Sequence, residues 1–489
     1  MKRVARTTVV CLATLAAALG GGLSAGSSPA ASGNEAVDAV FEPFTRPGSP
    51  GCAVAVYKDG KIAYEHGYGL ASLEHDLPIT PASVFYLGSV SKQFTAFAAA
   101  LAIKDGRLSV DDPIRKHLPE LPDYTSKITV RHLIHHTSGL RDYNTLLSIA
   151  GRRGDEAFDN ATVLRIAARQ KQLNFEPGSE YLYSNTGYTL LATIVERATQ
   201  TPFAQFAATR MFEPLDMKVT HYHTDETRLV KNRAFAFTRQ GDDVVLDTPN
   251  NERAGAGGVF SSVRDLLNWD ENFYTARVGG RDLIEMVQTP GKLNDGSTLN
   301  YAWGLQAGRY RGARLVEHSG SLGGYRAHLM RFPDAHYSLA ALCNLSTSNP
   351  GGLLRQVADR TMTSSFTESA ATSGAPGTQG AAAGGGRAGR GGADGATRAA
   401  AVSSPSDFTG TYHSDEADAT FTVTTREGVL MLRRETDREA AELQPGSSGD
   451  FRFRGMTVRF ERESGRVVAL VVDAGRVRDI RFVKRSSGS

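Results

Sequence analysis

The chain has 489 residues, 22% of them charged and 40% hydrophobic, and a formal net charge of +3. That length can bury a large core and hold more than one domain, while so mild a charge gives no electrostatic footprint for a nucleic-acid partner. Three cysteines are too few for a disulfide scaffold or a zinc cluster.

Residues 1–31 have a basic start, a short apolar run and then small residues with A-x-A-like cleavage points near Ala25 or Ala30 to Ala31. This is the pattern of a secretory signal, so the mature chain is expected outside the cytoplasm, in a bacterial periplasm or the extracellular space. The apolar run is interrupted by glycines and falls short of the roughly 20 residues that span a bilayer; no later segment could do so. Cys11 leaves with the signal, and Cys52 and Cys343 remain, each in an apolar run that suits a buried thiol.

From Cys52, "CAVAVYKDGKIAYEHGYG" reads as a hairpin turning at Asp59-Gly60. A mainly helical stretch follows to about Thr220, with helix starts near Ser91, Val130, Ala161, Gly187 and Pro202. Strand patterns return from Tyr301, and "GGLLRQVADRTM" closes the segment as a helix. Strands at both ends and helices between describe one α/β domain over 40–363, its sheet assembled from both ends of the segment. Residues 364–405 are rich in Gly, Ala and Ser with scattered arginine, the composition of a flexible tether. The arginines of "GGGRAGRGG" are few and come without aromatics, so they carry no nucleic-acid reading. Over 406–486 the period is two, with hairpin turns at Glu427-Gly428 and Ser464-Gly465. This predicts a small all-β domain of up-and-down strands closing into a barrel, its arginines on a solvated outer face.

The stretch "YLGSVSKQFTAF" carries the chemistry. Ser89 and Lys92 are three apart, so a helix places them on one face, and the residues after them predict an apolar helix entering a core through Phe94, Phe97, Ala98 and Leu101. A serine hydroxyl is a weak nucleophile until a base takes its proton, and a desolvated lysine can be that base. The helix start also leaves the Ser89 N–H free to serve an oxyanion hole. Only Lys92 among the lysines has a serine three residues before it. Further on, "PGSEYLYSNTGY" sets Tyr183 and Asn185 one residue apart. In an extended loop the phenol and the amide point the same way, one able to relay a proton and the other to hold a carbonyl. In "RLVEHSGSLGGY", His318-Ser319-Gly320 ends a strand, with Gly320 leaving the strand edge open to a ligand.

Ser-x-x-Lys, Tyr-x-Asn and His-x-Gly in this order resemble the penicillin-recognising serine hydrolases, in the branch shared by class C β-lactamases, D-Ala-D-Ala carboxypeptidases, D-aminopeptidases and related esterases. The stretches "ITPASVFYLGSVSKQFTA", "LIHHTSGL", "EPGSEYLYSNTGY", "AGGVFSSVRDLLNW" and "GGYRAHLMRFP" extend the resemblance over most of residues 40 to 362. It implies a serine β-lactamase-like α/β fold and acyl transfer without metal or cofactor. Ser89 would be acylated with Lys92 as its proton partner, and Tyr183 would shuttle protons. Asn185 would bind the substrate amide, His318 and Ser319 would face the substrate carboxylate, and Gly320 would line the substrate site without blocking it. The N–H groups of Ser89 and Ser321 would form the oxyanion hole. Class C β-lactamases carry lysine where this chain has His318, whereas some carboxypeptidases and D-aminopeptidases have histidine there. The resemblance therefore points to a D-peptidase-like amidase, with a carboxylesterase or a β-lactamase as alternatives. The expected partner is a small D-peptide, β-lactam or ester, and the C-terminal β-domain resembles accessory barrels of D-aminopeptidase-like members. A histidine near its ordinary pKa would make carboxylate affinity fall as pH rises through about 6 to 7. In the family's sheet the first strand lies beside the last, which would bring Cys52 near Cys343 for a disulfide that export permits.

Two other motifs compete. "HYHTDE", His221 to Glu226, has zinc-ligand spacing, but it follows the end of a helix rather than a buried strand. "HHTSGL", His135 to Leu140, reads as a turn-shaping segment. A function of another class, a penicillin-binding sensor that does not turn over, would keep the same pocket.

Overall fold

The computed structural model describes residues 33–152, 158–250, 253–367, 405–446 and 449–485. Residues 1–31, expected to be a secretory signal, with Cys11, and nearly all of residues 364–405, expected to be a tether, lie outside these residues.

Six antiparallel strands form the main sheet: β1 (Cys52–Lys58), β2 (Lys61–Tyr68), β3 (Gln306–Tyr310), β4 (Ala313–Leu322), β5 (Tyr325–Phe332) and β6 (Tyr337–Cys343). Their order is β3-β4-β5-β6-β1-β2, so the first strand of the domain lies beside its last. The adjacent inner strands β1 and β6 are buried on both faces, which explains why they read as continuous apolar runs. Alternate residues serve opposite layers. Cys52, Val54 and Val56 join Leu339 and Ala341 beneath helices Gly33–Phe41 and Pro350–Thr361, while Ala53, Ala55 and Ala340 face the helical region. Cys52 and Cys343 are partners in the β1–β6 register and are joined by a buried disulfide.

Helix Ser91–Lys104 is buried on every side from Ser91 to Ala102, because it runs through the middle of the helical layer. A second helix, Val263–Thr275, packs across β1 and β6 with Trp269 buried, and the Tyr57 hydroxyl donates to its Val263 carbonyl. Helix Asn185–Thr199 packs against Ser91–Lys104. A three-stranded sheet of Phe85–Tyr86, Val259–Ser261 and His221–Tyr222 ties the approach to the first helix to residues far along the chain.

The C-terminal domain is a nine-stranded antiparallel sheet in up-and-down order, its first long strand (Gly410–Ser414) pairing with its last (Val477–Lys484). The two edge segments, Ala441–Glu442 and Gln444–Pro445, are separated only by Leu443, so the sheet rolls into a nearly closed barrel. Both expected hairpin turns have the positive φ pair of a type I′ turn: Glu427 at 53° with Gly428 at 80°, and Ser464 at 50° with Gly465 at 82°. Asp59 (49°) and Gly60 (76°) do the same in the first hairpin.

The barrel is docked on the α/β domain. Tyr143, Leu146, Ile149, Val163 and Ile166 of the latter share one apolar core with Phe421, Leu432 and their barrel neighbours. At its edge the buried Arg141 guanidinium donates to Glu416 Oε2 (2.6 Å) and to the carbonyls of Arg478 (2.7 Å) and Asp479 (3.0 Å). The barrel arginines are therefore not all on a solvated face. Arg434 donates to the Ser148 carbonyl and Arg478 pairs with Glu180, both across the domain boundary. A two-residue alternation separates inside from outside of a barrel, but not water from another domain.

Candidate active site

Ser89 sits in a 3-10 turn, Gly88–Val90, that leads directly into helix Ser91–Lys104. The turn keeps Ser89 and Lys92 on one side, with Lys92 Nζ 3.1 Å from Ser89 Oγ. The lysine side chain is fully buried. Its Nζ donates to Asn185 Oδ1 (2.9 Å) and to the Ala256 carbonyl (2.8 Å). That carbonyl is brought in by the small sheet, where Leu87 N–H donates to Val259 O and Val259 N–H to Ser91 Oγ. Burial first, then the charge of Arg476, hold the Lys92 ammonium well below the usual lysine range, with Asp142 opposing.

Asn185 lies not in an extended loop but in the first turn of helix Asn185–Thr199, whose N-cap Ser184 accepts from Gly187 N–H. Asn185 N–H donates to Asp142 Oδ2 (2.7 Å), which orients the residue, and Lys92 Nζ lies 4.7 Å from the Tyr183 ring centroid. The Tyr183 phenol is pushed up from its ordinary pKa by burial, partly offset by hydrogen bonding with Ser89 and by Arg476. His136 of the "HHTSGL" turn supports this segment. At φ 59° its ring lies 4.2 Å from that of Tyr183, and its Nδ1 accepts from Ser184 N–H (3.1 Å).

Strand β4 passes against the Ser89 turn. A Cβ on Gly320 would sit 2.0 Å from Leu87 O and 2.9 Å from Ser89 N, and one on Gly88 would sit 2.4 Å from Ser321 N. Both glycines are required for this approach, which brings the N–H groups of Ser89 and Ser321 close together. His318 and Ser319 lie on the same strand. The sequence expectation for His318 needs correction. It is buried; its Nδ1 lies 2.6 Å from Ser319 O and so must carry a hydrogen, and its Nε2 therefore accepts from the Tyr301 hydroxyl (3.1 Å). Burial, followed by the Lys92 charge, lowers its pKa to about 3, so the imidazole is neutral through pH 6 to 7. His221 and His223 lie elsewhere, packed on Phe260, with His221 Nδ1 against the Val219 carbonyl.

Sequence reasoning missed Arg476, Asp142, Tyr301 and the Ala256 carbonyl. Arg476 belongs to the barrel, at the hairpin between strands Arg466–Ala474 and Val477–Lys484, and its guanidinium lies 4.6 Å from the Tyr183 ring centroid. Nothing local marks it, because the contact joins two domains.

A sheet built from both ends of a helical domain, with a serine one turn before a buried lysine and a tyrosine and asparagine against that amine, defines a penicillin-recognising fold. The chain belongs to the β-lactamase family, whose model matches residues 37–362. It is 29% identical to a D-aminopeptidase of Gluconobacter oxydans over 60% of this chain and 56% of that one. It is 31% identical to penicillin-binding protein 4* of Bacillus subtilis, over 60% of this chain and 67% of that one. The chain thus spans little more than half the length of the D-aminopeptidases it matches. Its fold is similar to that of the octameric penicillin-binding protein homologue from Pyrococcus abyssi (TM-score 0.60, 22% identity, 92% of this chain and 99% of the other). It is also similar to the D-amino acid amidase from Ochrobactrum anthropi SV3 (TM-score 0.57, 24% identity, 68% of this chain and 98% of the other).

Proposed function

We propose that this protein is an exported serine hydrolase that cleaves amide bonds of D-amino-acid peptides or amides through an acyl-enzyme on Ser89. The observation that carries the reading is the environment of Lys92. A neutral amine has two N–H donors and one lone pair. The Asn185 and Ala256 oxygens take the two donors, which leaves the lone pair for the Ser89 hydroxyl. Ser89 Oγ then attacks the substrate carbonyl as its proton passes to Lys92 Nζ. The oxyanion forms between the N–H groups of Ser89 and Ser321. The Tyr183 phenol, kept protonated by burial, hands a proton to the leaving amine and is restored through Lys92. Water repeats the sequence on the acyl-enzyme. Asn185 holds the substrate amide and the Ser319 hydroxyl serves its carboxylate, while neutral His318, its one N–H given to the Ser319 carbonyl and its Nε2 accepting from Tyr301, supports that strand without adding charge.

The D-amino-acid preference is supported by the D-aminopeptidase and D-amino acid amidase among the similar proteins. The test is a panel of D- and L-amino acid amides and p-nitroanilides, D-Ala-D-Ala peptides, nitrocefin and short esters, run on the purified protein and on Ser89→Ala. Turnover of D-amides that is lost in Ser89→Ala supports the reading. Faster turnover of esters or nitrocefin would make it an esterase or a β-lactamase. Covalent labelling of Ser89 by a fluorescent penicillin without turnover of any substrate would make it a sensor.

A further inference from the structure

Two cations face one phenol ring. Lys92 Nζ lies 4.7 Å and Arg476 Cζ 4.6 Å from the Tyr183 ring centroid, so the charges can be no more than about 9 Å apart. The second cation is held in place by a built contact. The Arg476 carbonyl accepts from Asn174 Nδ2 (3.0 Å) and from Asp142 N–H (3.4 Å). Two residues on, Arg478 N–H donates to Asn174 Oδ1 (2.9 Å) and its guanidinium pairs with Glu180. The hairpin is thus pinned to the α/β domain at its tip and along the strand that follows.

We propose that Arg476 is a positioning charge through which the barrel sets the protonation state of Lys92, so that domain docking completes the acid–base balance of the cleft. The proposal rests on the acyl-enzyme reading above. Two like charges at this separation, one of them fully buried, disfavour double ionisation, and an arginine does not give up its proton in proteins, so the lysine is the group that yields. The other groups around Lys92 do not reverse this. Tyr183 and Tyr188 present their ring faces, and His136 and His318 are held neutral by burial. Asp142 opposes, but its carboxylate already accepts from the N–H groups of Asn185 and Thr145. A barrel that failed to dock would remove this share of the push on the amine, and Ser89 would find its base only at higher pH.

The test is the pH dependence of kcat/KM between pH 5 and 10 for a D-amino acid p-nitroanilide, on the full chain and on Arg476→Gln and Arg476→Lys. Loss of the charge in Arg476→Gln should move the acidic limb upward by about one pH unit, a loss of about tenfold on that limb. The alkaline plateau should stay within about twofold, and Arg476→Lys should keep the limb near its original position. Melting curves and labelling of Ser89 by a fluorophosphonate check that each variant is folded with an accessible serine. An unmoved limb in labelled Arg476→Gln overturns the proposal and leaves the acyl-enzyme reading intact. So does a loss confined to KM for carboxylate-bearing substrates relative to their amides, which would make Arg476 a substrate anchor. Absence of the Ser89 label in the unmodified protein overturns the acyl-enzyme reading itself.

Discussion

The cleft and the domain interface each bury a basic side chain completely, and they treat it in opposite ways. Arg141 meets a carboxylate, Glu416 Oε2, at 2.6 Å, and its other hydrogen bonds go to barrel carbonyls and to Gln170 Oε1. Lys92 is hydrogen-bonded to two carbonyl oxygens and a hydroxyl, and a second cation stands across the Tyr183 ring. A buried cation with a contacting carboxylate is held charged and fixes one packing of two surfaces. A buried amine with neutral acceptors is driven toward its unprotonated form and becomes reactive. The two sites are coupled through adjacent residues: Thr186 Oγ1 donates to the Arg141 carbonyl, and Asn185 N–H to Asp142.

The contrast can be broken from either side. Lys92→Met keeps the volume and removes the amine, so kcat/KM should fall by roughly 10²–10⁴-fold, the usual worth of a general base, while the denaturation midpoint stays level or rises. A fall in both rate and midpoint would show that Lys92 is structural, as Arg141 is. Glu416→Ala should have the reverse order of effects. It leaves the Arg141 charge buried without its carboxylate and should cost about 3–5 kcal/mol of unfolding free energy, read by urea titration. Any loss of rate should follow from poorer docking of the barrel and be smaller than that of Lys92→Met.

A smaller effect belongs to the histidines around the cleft. Burial lowers the pKa of His135 to about 4 and of His318 to about 3, and that of His136 well below its ordinary value. Their folded-state values lie below the unfolded value near 6.5, so between those limits the unfolded chain binds more protons. Stability should therefore be highest above pH 6.5 and fall on acidification, with a slope of up to about 1.4 kcal/mol per pH unit for each histidine, flattening below pH 4 to 3. Urea titrations at pH 7, 6 and 5 measure it. Substituting His135 by Gln should remove one share of the slope, and an unchanged slope would mean that this ring is not buried neutral.

Much of this was legible in the sequence because it is local. Ser89 and Lys92 meet across one helical turn, and the Asp59-Gly60, Glu427-Gly428 and Ser464-Gly465 turns follow from residues that tolerate positive φ. The α/β fold, with a sheet closed from both ends, was legible from the change of hydrophobic period. Helix Val263–Thr275 was passed over, although Ser262 accepts from Asp265 N–H three residues on, a start signal readable in the chain. The remainder was not legible, for two physical reasons. The Ala256 carbonyl has no side chain to betray it, and Arg476 and Arg141 act across a boundary between domains whose docking no periodicity encodes. A helix start near Gly187 leaves Asn185 in the preceding loop, whereas the helix begins at Asn185 itself, capped by the extended Ser184.

The smallest expected effect falls on His318, and it decides how the cleft handles a carboxylate. From the sequence alone, a histidine in place of lysine suggests a charge that is lost through pH 6 to 7. In the fold, protonating the ring would put its second hydrogen at Nε2, where the Tyr301 hydroxyl donates, and would add a buried positive charge near Lys92. KM for a D-peptide with a free carboxylate should therefore change by less than about twofold between pH 6 and 7, where a titrating anchor could change it by several-fold. Measured together with kcat, this separates the two residues: an acidic limb carried by kcat/KM with flat KM places the titration on Lys92. A KM that rises with pH and is flattened by His318→Gln would place it on the imidazole, and would make the cleft, like the interface, a place where charge meets charge.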